Sequence, residues 1–448
     1  MNGELTIEFL SSCAESFKCS TTNKNAMNMV TTKGLFNSAK TNKFTFSDSS
    51  DFSIQLKYGG ATDQGQSGRC WSFATLNLLR SAIIKRYNID DFPLSNNFVL
   101  FYDKLEKSNY FLELILSTLK LNTGDRFLAY ILQSPITDGG QWEMARNIIQ
   151  KYGLVPEFAM PETISSMSTS GMNVCIEAKL KEFACTLRKN FILGATPSEL
   201  NEMKLSMIAI VYKMLCVCLG VPPNRFIFDQ HSIGDNHYEE NLTPLEFYSK
   251  YICINLDEYI NVVNIPSLYM QFNSCYAVRS LCNIVGGRTV RYINLPIEYF
   301  SDMAVSQLSD GIPVWFGCDA NKFQLREAGI FDLKSYDFES LFDTKFSMTK
   351  GEQIEYGLSA ITHSMVLQGV QFDKLGKPFS WLVENSCGKN VGKNGLFIMT
   401  NDWFEQYGYQ IVIHKKFFPQ ELLEIYQGKP IMLEPWTPLG TLTSIMSP

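Results

Sequence analysis

The chain has 448 residues, of which 45% are hydrophobic and 19% are charged, and its formal net charge is −6. This composition excludes an intrinsically disordered chain, because disorder requires low hydrophobicity combined with high net charge. The negative charge argues against a protein-wide attraction to nucleic acid. The length allows a large core, or a single fold that carries a sizeable insertion.

Residues 1–50 are rich in Ser, Thr, Asn and Lys with little periodicity, and we interpret them as an extended N-terminal arm. No basic segment followed by an apolar core marks a secretory signal at the start, so we expect a cytoplasmic protein. The twelve cysteines lack the paired spacing of zinc or redox sites. We therefore expect mostly free thiols in a reducing compartment, and no metal or other cofactor.

The stretch "QSGRCWSFATLNLLR" places Cys70 after a polar, glycine-containing segment. An apolar series at helical spacing follows it: Leu76, Leu79, Ile83 and Tyr87. This spacing predicts a helix that begins near Cys70 and ends before "NIDDFP". Free cysteines are usually small buried hydrophobes, but the positive end of a helix dipole also favours a reactive thiolate.

Residues 98–285 are mostly helical in pattern up to residue 281 and predict an α-rich insertion. Within them, the run "MIAIVYKMLCVCLGV" is shorter than the roughly 20 residues that a membrane-spanning helix needs, and it contains Lys213. We interpret this run as a buried helix and expect no membrane association.

From about residue 286 the pattern changes to short β-branched and aromatic runs: "VRYINLP", "GIPVWFGCD", "THSMVLQGVQF", "FSWLVENS" and "QIVIHKKFF". The third and fourth flank the turn-like "DKLGKP" and predict an antiparallel hairpin. Folding this hairpin about its turn brings His363 close to Asn385. Because strand side chains alternate, both residues can project to the same face.

These residues could assemble the chemistry of a cysteine nucleophile. His363 could take the proton of the Cys70 thiol, and Asn385 could fix which imidazole nitrogen faces sulfur. Gln64 and the backbone N–H of Cys70 could stabilise the oxyanion of a tetrahedral intermediate. Each residue alone has a simpler explanation, since a strand histidine is more often a core residue and a loop glutamine is usually only solvated.

Three short motifs resemble those of papain-like cysteine peptidases. "SGRCW" resembles their Cys-Gly-Ser/Ala-Cys-Trp/Tyr segment, with Ser67 and Arg69 as departures. "ENSCG" resembles their Asn-Ser-Trp-Gly, with Cys387 in place of the tryptophan. "DGGQW" resembles their Asn-Gly-Gly substrate strand, in which Gly139 and Gly140 let an extended peptide pair with the backbone. Without the other motifs, "DGGQW" would be read as an ordinary turn.

The number of residues between Cys70 and His363 indicates one subgroup of the papain-like peptidases. Cys70 and His363 are 293 residues apart. Papain-like enzymes have roughly 130 to 150 residues between these positions, so an insertion on the order of 150 residues is required. Together with "TPLEFY", "VGGR", "THSMVLQGV" and "MTNDWFEQY", this resembles the bleomycin hydrolase family of cysteine aminopeptidases from about residue 50 to the C-terminus.

The resemblance implies an α+β, papain-like fold, made of a helical half and an antiparallel β-barrel half with a large α-helical insertion. Residues 51–97 and 286–448 would form the catalytic unit, and residues 98–285 would hold the substrate strand (138–142) and the insertion. It also implies a homohexamer that encloses its active sites and hydrolyses N-terminal residues from peptides. The implied site roles are Cys70 as nucleophile, His363 as base and acid, Asn385 as orienting residue and Gln64 as oxyanion donor.

Two features depart from the family. In such enzymes the C-terminal carboxylate lies in the cleft and holds the ammonium group of the substrate. Here the tail "PWTPLGTLTSIMSP" continues past Thr443, where the family usually ends, so we expect self-trimming or altered specificity. A thiol at Cys387 would also shield the His–Asn hydrogen bond less well than an indole.

Two other functions remain open from the sequence. One is a papain-like endopeptidase with an open cleft. The other is a catalytically idle homologue that binds nucleic acid or protein.

Overall fold

The computed structural model describes residues 3–41, 52–229, 233–234 and 239–437. The α-helices are α1 (Ile7–Cys19), α2 (Thr21–Lys33), α3 (Leu35–Ala39), α4 (Cys70–Tyr87), α5 (Asn96–Ser117), α6 (Arg126–Gln133), α7 (Trp142–Tyr152), α8 (Ile164–Met167), α9 (Ser170–Ile192), α10 (Pro197–Leu219), α11 (Pro244–Phe247), α12 (Ile297–Ser309), α13 (Phe338–Phe342), α14 (Lys350–Glu355), α15 (Asn401–Tyr407) and α16 (Gln420–Gln427). The strands are β1 (Ile54–Gln55), β2 (Phe226–Asp229), β3 (Glu239–Leu242), β4 (Tyr259–Val263), β5 (Ser274–Val278), β6 (Arg291–Asn294), β7 (Val314–Cys318), β8 (Gln324–Leu325), β9 (Ile330–Phe331), β10 (His363–Phe372), β11 (Pro378–Glu384), β12 (Leu396–Thr400), β13 (Gly408–His414) and β14 (Ile431–Leu433).

One sheet contains every described strand except β2 and β3. Its order is β14-β5-β6-β4-β13-β7-β10-β11-β12-β9-β8, and β1 also pairs with β10. The predicted hairpin is confirmed, because β10 and β11 are antiparallel with Val366 opposite Glu384 and Val370 opposite Trp381. The other predicted runs form β6, β7 and β13. Helical and β halves are thus both present, as the α+β prediction required.

Helix α4, which begins at Cys70, is largely buried. It runs from Cys70 to Tyr87, as the apolar spacing predicted, and Leu79 and Ile83 are fully buried. Its first turn is tied to both halves, since Trp71 Nε1 donates to Asp138 O at 2.7 Å and Trp315 Nε1 donates to Trp71 O at 3.2 Å. These contacts fix the N-terminal end of α4 between the loop that contains Asp138 and the sheet.

The helical character predicted for the α-rich insertion is confirmed up to Leu219, where α10 ends. The apolar run in α10 is a helix, but only one stripe at roughly helical spacing is buried, and Val217 on another face is 79% exposed. In the described ranges, no helix is both long and apolar enough to cross a bilayer.

The predicted change from helix to strand near residue 286 is wrong, because four of the described strands, β2 to β5, precede that residue. Strands β4 and β5 come earlier and belong to the main sheet. All five residues of β4 are buried. A strand buried on both faces has no alternating pattern, which is why the sequence around it was interpreted as part of the helical block.

The N-terminal segment is helical in its described part rather than extended, which corrects the predicted arm. Local caps define the helices, since Thr6 Oγ1 accepts from Phe9 N at 3.2 Å and Ser20 Oγ accepts from Asn23 N at 3.1 Å. Neither α1 nor α2 has a buried residue. Residues 42–51 lie outside the described part of the chain.

Candidate active site

Cys70 is the first residue of α4, at the positive end of the helix dipole. Its exposed fraction is 1%. Burial raises the pKa of the Cys70 thiol to about 11, and hydrogen bonds from the backbone of Ser364 and Trp71 act in the opposite direction. The thiolate therefore needs a further source of stabilisation at neutral pH.

His363 and Asn385 are in direct contact. His363 begins β10 and Asn385 follows β11, so the hairpin brings them together although 22 residues separate them. His363 Nε2 lies 2.7 Å from Asn385 Oδ1, and this amide oxygen also accepts from Ser386 N at 2.8 Å. An amide oxygen can only accept, so Nε2 carries the proton in this bond, and Nδ1 is left as the basic nitrogen of the neutral ring.

The same strand brings the histidine to the cysteine. Ser364, whose backbone hydrogen-bonds to the Cys70 sulfur, directly follows His363 on β10. On its other side β10 pairs with β7, where Cys318 lies opposite His363. The structure thus places the N-terminus of α4 against the strand end that carries His363.

The pKa of His363 is lowered by burial. The hydrogen bond to Asn385 works against this shift, and the positive charge of Arg326 adds to it. Arg326 is exposed and lies in the loop between β8 and β9. Taken separately, the partly buried imidazole and the buried thiol therefore both favour their neutral forms.

Gln64 lies in the loop before α4 and is held at both ends of its side-chain amide. Its Nε2 donates to Ser67 O at 2.7 Å, and its Oε1 accepts from Ser386 Oγ at 2.6 Å. The backbone is also tied, because Gln64 N donates to Ser386 O at 3.0 Å. One of the two amide hydrogens is left for another acceptor. Gln64 is thus connected to the residue that follows Asn385.

The "DGGQW" segment packs against Trp71, the residue that follows Cys70, and both Gly139 and Gly140 are buried. A Cβ added to Gly140 would lie 2.5 Å from Trp71 Cε2, so this glycine is required by the indole ring next to Cys70. The carbonyl of Gly139 accepts from Lys107 Nζ at 2.7 Å. The sequence interpretation attributed both glycines to peptide approach and missed this packing.

Cys387 is partly buried and packs against the apolar side of the sheet. Burial raises the pKa of its thiol to about 11, and its backbone forms a bridge with Asp63.

Two contacts of the site were not predicted, those of Ser364 and Ser386. Both residues directly follow a predicted site residue in sequence, which is the only signal that could have indicated them.

A cysteine at a helix N-terminus, against the strand end that carries a histidine hydrogen-bonded to an asparagine, is the arrangement expected of a papain-like cysteine peptidase. The comparisons agree, since a model of the Peptidase C1-like family matches residues 4–440. The chain belongs to this family.

Its relatives cover nearly the whole chain. It is 38% identical over 439 residues to aminopeptidase C of Lactococcus lactis subsp. lactis (strain IL1403), covering 98% of this chain and 99% of that protein. It is 36% identical over 389 residues to bleomycin hydrolase of Rattus norvegicus, covering 85% and 86%. The crystal structure of PepW from Lactobacillus rhamnosis HN001 superposes with a TM-score of 0.95 at 40% identity, covering 98% of this chain and 99% of that one. The bleomycin hydrolase-like resemblance and the papain-like fold are confirmed.

Proposed function

We propose that this protein is a cysteine aminopeptidase that removes N-terminal residues from peptides and also hydrolyses bleomycin-like amides. The observation that carries the proposal is the 2.7 Å contact between His363 and Asn385 on the strand end that meets Cys70. Relatives named aminopeptidase C and bleomycin hydrolase, aligned over most of the chain, support the same activity.

The reactive form is a thiolate–imidazolium pair. Burial raises the pKa of Cys70 and lowers that of His363, so neither charge is stable alone in this site. Proton transfer from sulfur to Nδ1 creates two opposite charges that stabilise each other in a low-dielectric environment. Asn385 holds the protonated Nε2 and so keeps Nδ1 directed to sulfur.

The thiolate attacks the carbonyl carbon of the first peptide bond, forming a carbon–sulfur bond. The oxyanion is stabilised by Gln64 Nε2 and the backbone N–H of Cys70. The His363 imidazolium then gives its proton to the leaving amine, and an acyl-enzyme remains. Water, deprotonated by the same imidazole, hydrolyses the thioester and restores the thiol.

The activity test compares fluorogenic aminoacyl amides that have a free or a blocked N-terminus. We expect turnover of the free substrate only, its loss in Cys70→Ala, and its loss after alkylation of the wild type. Cleavage of blocked or internal bonds would instead identify an endopeptidase. No turnover of any amide, together with binding of nucleic acid or protein, would identify an idle homologue.

We propose further that exopeptidase specificity comes from the C-terminal tail, because a carboxylate in the cleft selects a free ammonium group. Residues 438–448, including those past Thr443, lie outside the described part of the chain. Intact mass of the purified wild type and of Cys70→Ala tests whether the enzyme trims its own tail. A full-length mass in the active wild type contradicts trimming.

Assembly as a homohexamer is part of the proposal. Helices α1 and α2 bury no residue. Three large apolar side chains of α1 are therefore exposed, Ile7 by 78%, Phe9 by 55% and Leu10 by 51%. An apolar surface of this kind is typical of an interface between subunits. Light scattering should give six times the chain mass of 50.9 kDa, and Leu10→Glu should reduce it. The mass of a single chain for both the wild type and Leu10→Glu would contradict the proposal.

A cytoplasmic location is also proposed. All twelve cysteines fall within the described ranges and are free. Free thiols are typical of a reducing compartment. Fractionation of cells that express the full chain tests the location, and recovery of the enzyme outside the cytoplasmic fraction would contradict it.

A further inference from the structure

We propose that Arg69 and Ser67 are positioning residues that hold Gln64 in place as oxyanion donor. The inference rests on the proposed function, in which Gln64 binds the oxyanion. It concerns the two positions at which "SGRCW" departs from the papain-like pattern. These residues do not touch the substrate, and they act through the Gln64 amide.

A short chain of hydrogen bonds connects the three residues. Arg69 Nε donates to Ser67 Oγ at 2.9 Å, and Ser67 Oγ donates to Gln64 O at 2.6 Å. Gln64 Nε2 in turn donates to Ser67 O at 2.7 Å. The hydroxyl of Ser67 thus fixes the backbone of Gln64, while the carbonyl of Ser67 fixes its side chain.

The guanidinium at the start of this chain is itself buried and paired. Arg69 is 1% exposed and meets Glu162 with both terminal nitrogens, Nη1 donating to Oε1 at 3.0 Å and Nη2 lying 3.0 Å from Oε2. Glu162 is fixed by Ser166 Oγ, which donates to Oε2 at 2.5 Å. The guanidinium also lies over the ring of Phe73, 5.1 Å from its centroid. A planar guanidinium that donates from Nε to Ser67 and from Nη1 to Glu162 has a fixed orientation, which a lysine ammonium would not provide.

The arrangement leaves one amide hydrogen of Gln64 for the oxyanion. Its Oε1 is occupied by Ser386, and one hydrogen of Nε2 is occupied by Ser67. Arg69 also directly precedes Cys70, whose backbone N–H is the second proposed donor. The carbonyl of Arg69 accepts from Ser72 N at 2.9 Å and so helps set the start of α4. One buried residue therefore orients both oxyanion donors.

The test separates oxyanion binding from thiolate formation. Alkylation of Cys70 by iodoacetamide requires the thiolate–imidazolium pair but no oxyanion, whereas amide hydrolysis requires both. The variants are Ser67→Ala, Arg69→Lys, Gln64→Ala and Ser67→Ala/Gln64→Ala. For each, kcat and KM on an aminoacyl amide are measured, together with the alkylation rate across pH 5–9 at Cys70.

We expect Gln64→Ala to lower kcat by about 100-fold, the typical effect of one lost oxyanion donor. Ser67→Ala and Arg69→Lys should each lower kcat by about 10-fold or more, but by no more than Gln64→Ala does. KM and the pH profile of alkylation should stay unchanged in both variants. The double variant should be no slower than Gln64→Ala. Ser67→Thr, which keeps the hydroxyl, should restore most of the loss. Ser81→Ala removes a comparable hydroxyl-to-carbonyl bond of 2.6 Å on α4 and should leave kcat unchanged.

Alkylation that falls in parallel with kcat would show a general structural role and overturn the inference. Additive losses in the double variant would do the same, as would wild-type kcat in Ser67→Ala. Should Arg69→Lys fail to fold, Ser67→Ala still decides. Wild-type kcat in Gln64→Ala, or an inactive wild type, would instead refute the proposed function itself.

Discussion

Arg80 and Glu384 form a buried ion pair that joins the two parts of the candidate site. Arg80 Nη2 lies 2.5 Å from Glu384 Oε1, and both side chains are 3% exposed. Arg80 lies on the helix that begins with Cys70, and Glu384 directly precedes Asn385. The second carboxylate oxygen accepts from Gln368 Nε2, on the histidine strand, at 2.6 Å. This pair fixes the cysteine helix relative to the His–Asn hairpin.

Glu384→Gln should therefore destabilise the protein and slow it. The substitution keeps the size of the side chain but removes one of the two carboxylates that Arg80 contacts, the other being that of Asp91, 3.1 Å from Nη1. The cost should therefore be smaller than the about 3–5 kcal/mol of a buried charge that loses its only partner. We expect a lower denaturation midpoint in urea at pH 7 and a lower kcat. Glu421→Gln, at an exposed position on α16, should leave both unchanged. Equal midpoints for the two variants would show that the ion pair does not stabilise this contact.

Asn385→Ala should lower kcat and leave KM nearly unchanged. In the proposed mechanism the amide oxygen, 2.7 Å from His363 Nε2, orients the ring, and misplacing a catalytic group by about 1 Å can cost roughly 100-fold. Steady-state kinetics on an aminoacyl amide measure the effect. Asn390→Ala, at an exposed position of the same loop, is the control. A kcat within about 2-fold of wild type would exclude an orienting role for Asn385, because the misplacement cost would be absent.

The contacts that the sequence predicted are those between residues close along the chain. The β10–β11 hairpin follows from two strand patterns and a turn, and it brings His363 and Asn385 together over 22 residues. The helix at Cys70 follows from its own periodicity. Both depend on local patterns that burial imposes on the sequence.

The contacts that were missed are long-range or leave no periodic pattern. Ser386 and Gln64 are 322 residues apart, and Arg80 and Glu384 are 304 apart, so no local pattern indicates either pair. Helices α1 and α2 begin at local caps and bury no residue. The helical spacing of Ile7, Leu10 and Phe17 on α1 is the signal that the sequence interpretation of an extended arm missed. Strand β4 is buried throughout and lacks alternation.

Glu143 should make stability depend on pH. It is 1% exposed on α7, and burial raises the pKa of its carboxyl from 4.5 to about 7, although Arg288, Arg146 and a hydrogen bond from Asn261 oppose the shift. A folded-state pKa above the unfolded value means that the folded protein binds more protons between pH 4.5 and 7. The stability contribution is therefore complete below pH 4.5 and is lost as pH rises through 7.

Glu143→Gln removes this dependence because the amide does not titrate. The free energy of unfolding of the wild type, relative to Glu143→Gln, should fall by on the order of 3 kcal/mol between pH 4.5 and pH 8. Urea denaturation at several pH values measures the difference, with Glu421→Gln as the exposed control. A difference that stays constant over this range would show that Glu143 has the same pKa in the folded and unfolded states.

Gly140→Ala should damage both stability and activity. The added Cβ would lie within 2.5–2.9 Å of three atoms of the Trp71 ring, and that ring is fixed by its hydrogen bond to Asp138. Overpacking of this kind typically costs about 1–3 kcal/mol. Because Trp71 directly follows Cys70, we expect a lower thermal midpoint together with slower alkylation of Cys70. Gly171→Ala is the matched control, since its added Cβ meets nothing within 4 Å and the position lies in α9. There the helix propensity of alanine should raise stability by up to about 1 kcal/mol. Unchanged alkylation in a destabilised Gly140→Ala would show that the Trp71 packing supports the fold without positioning Cys70.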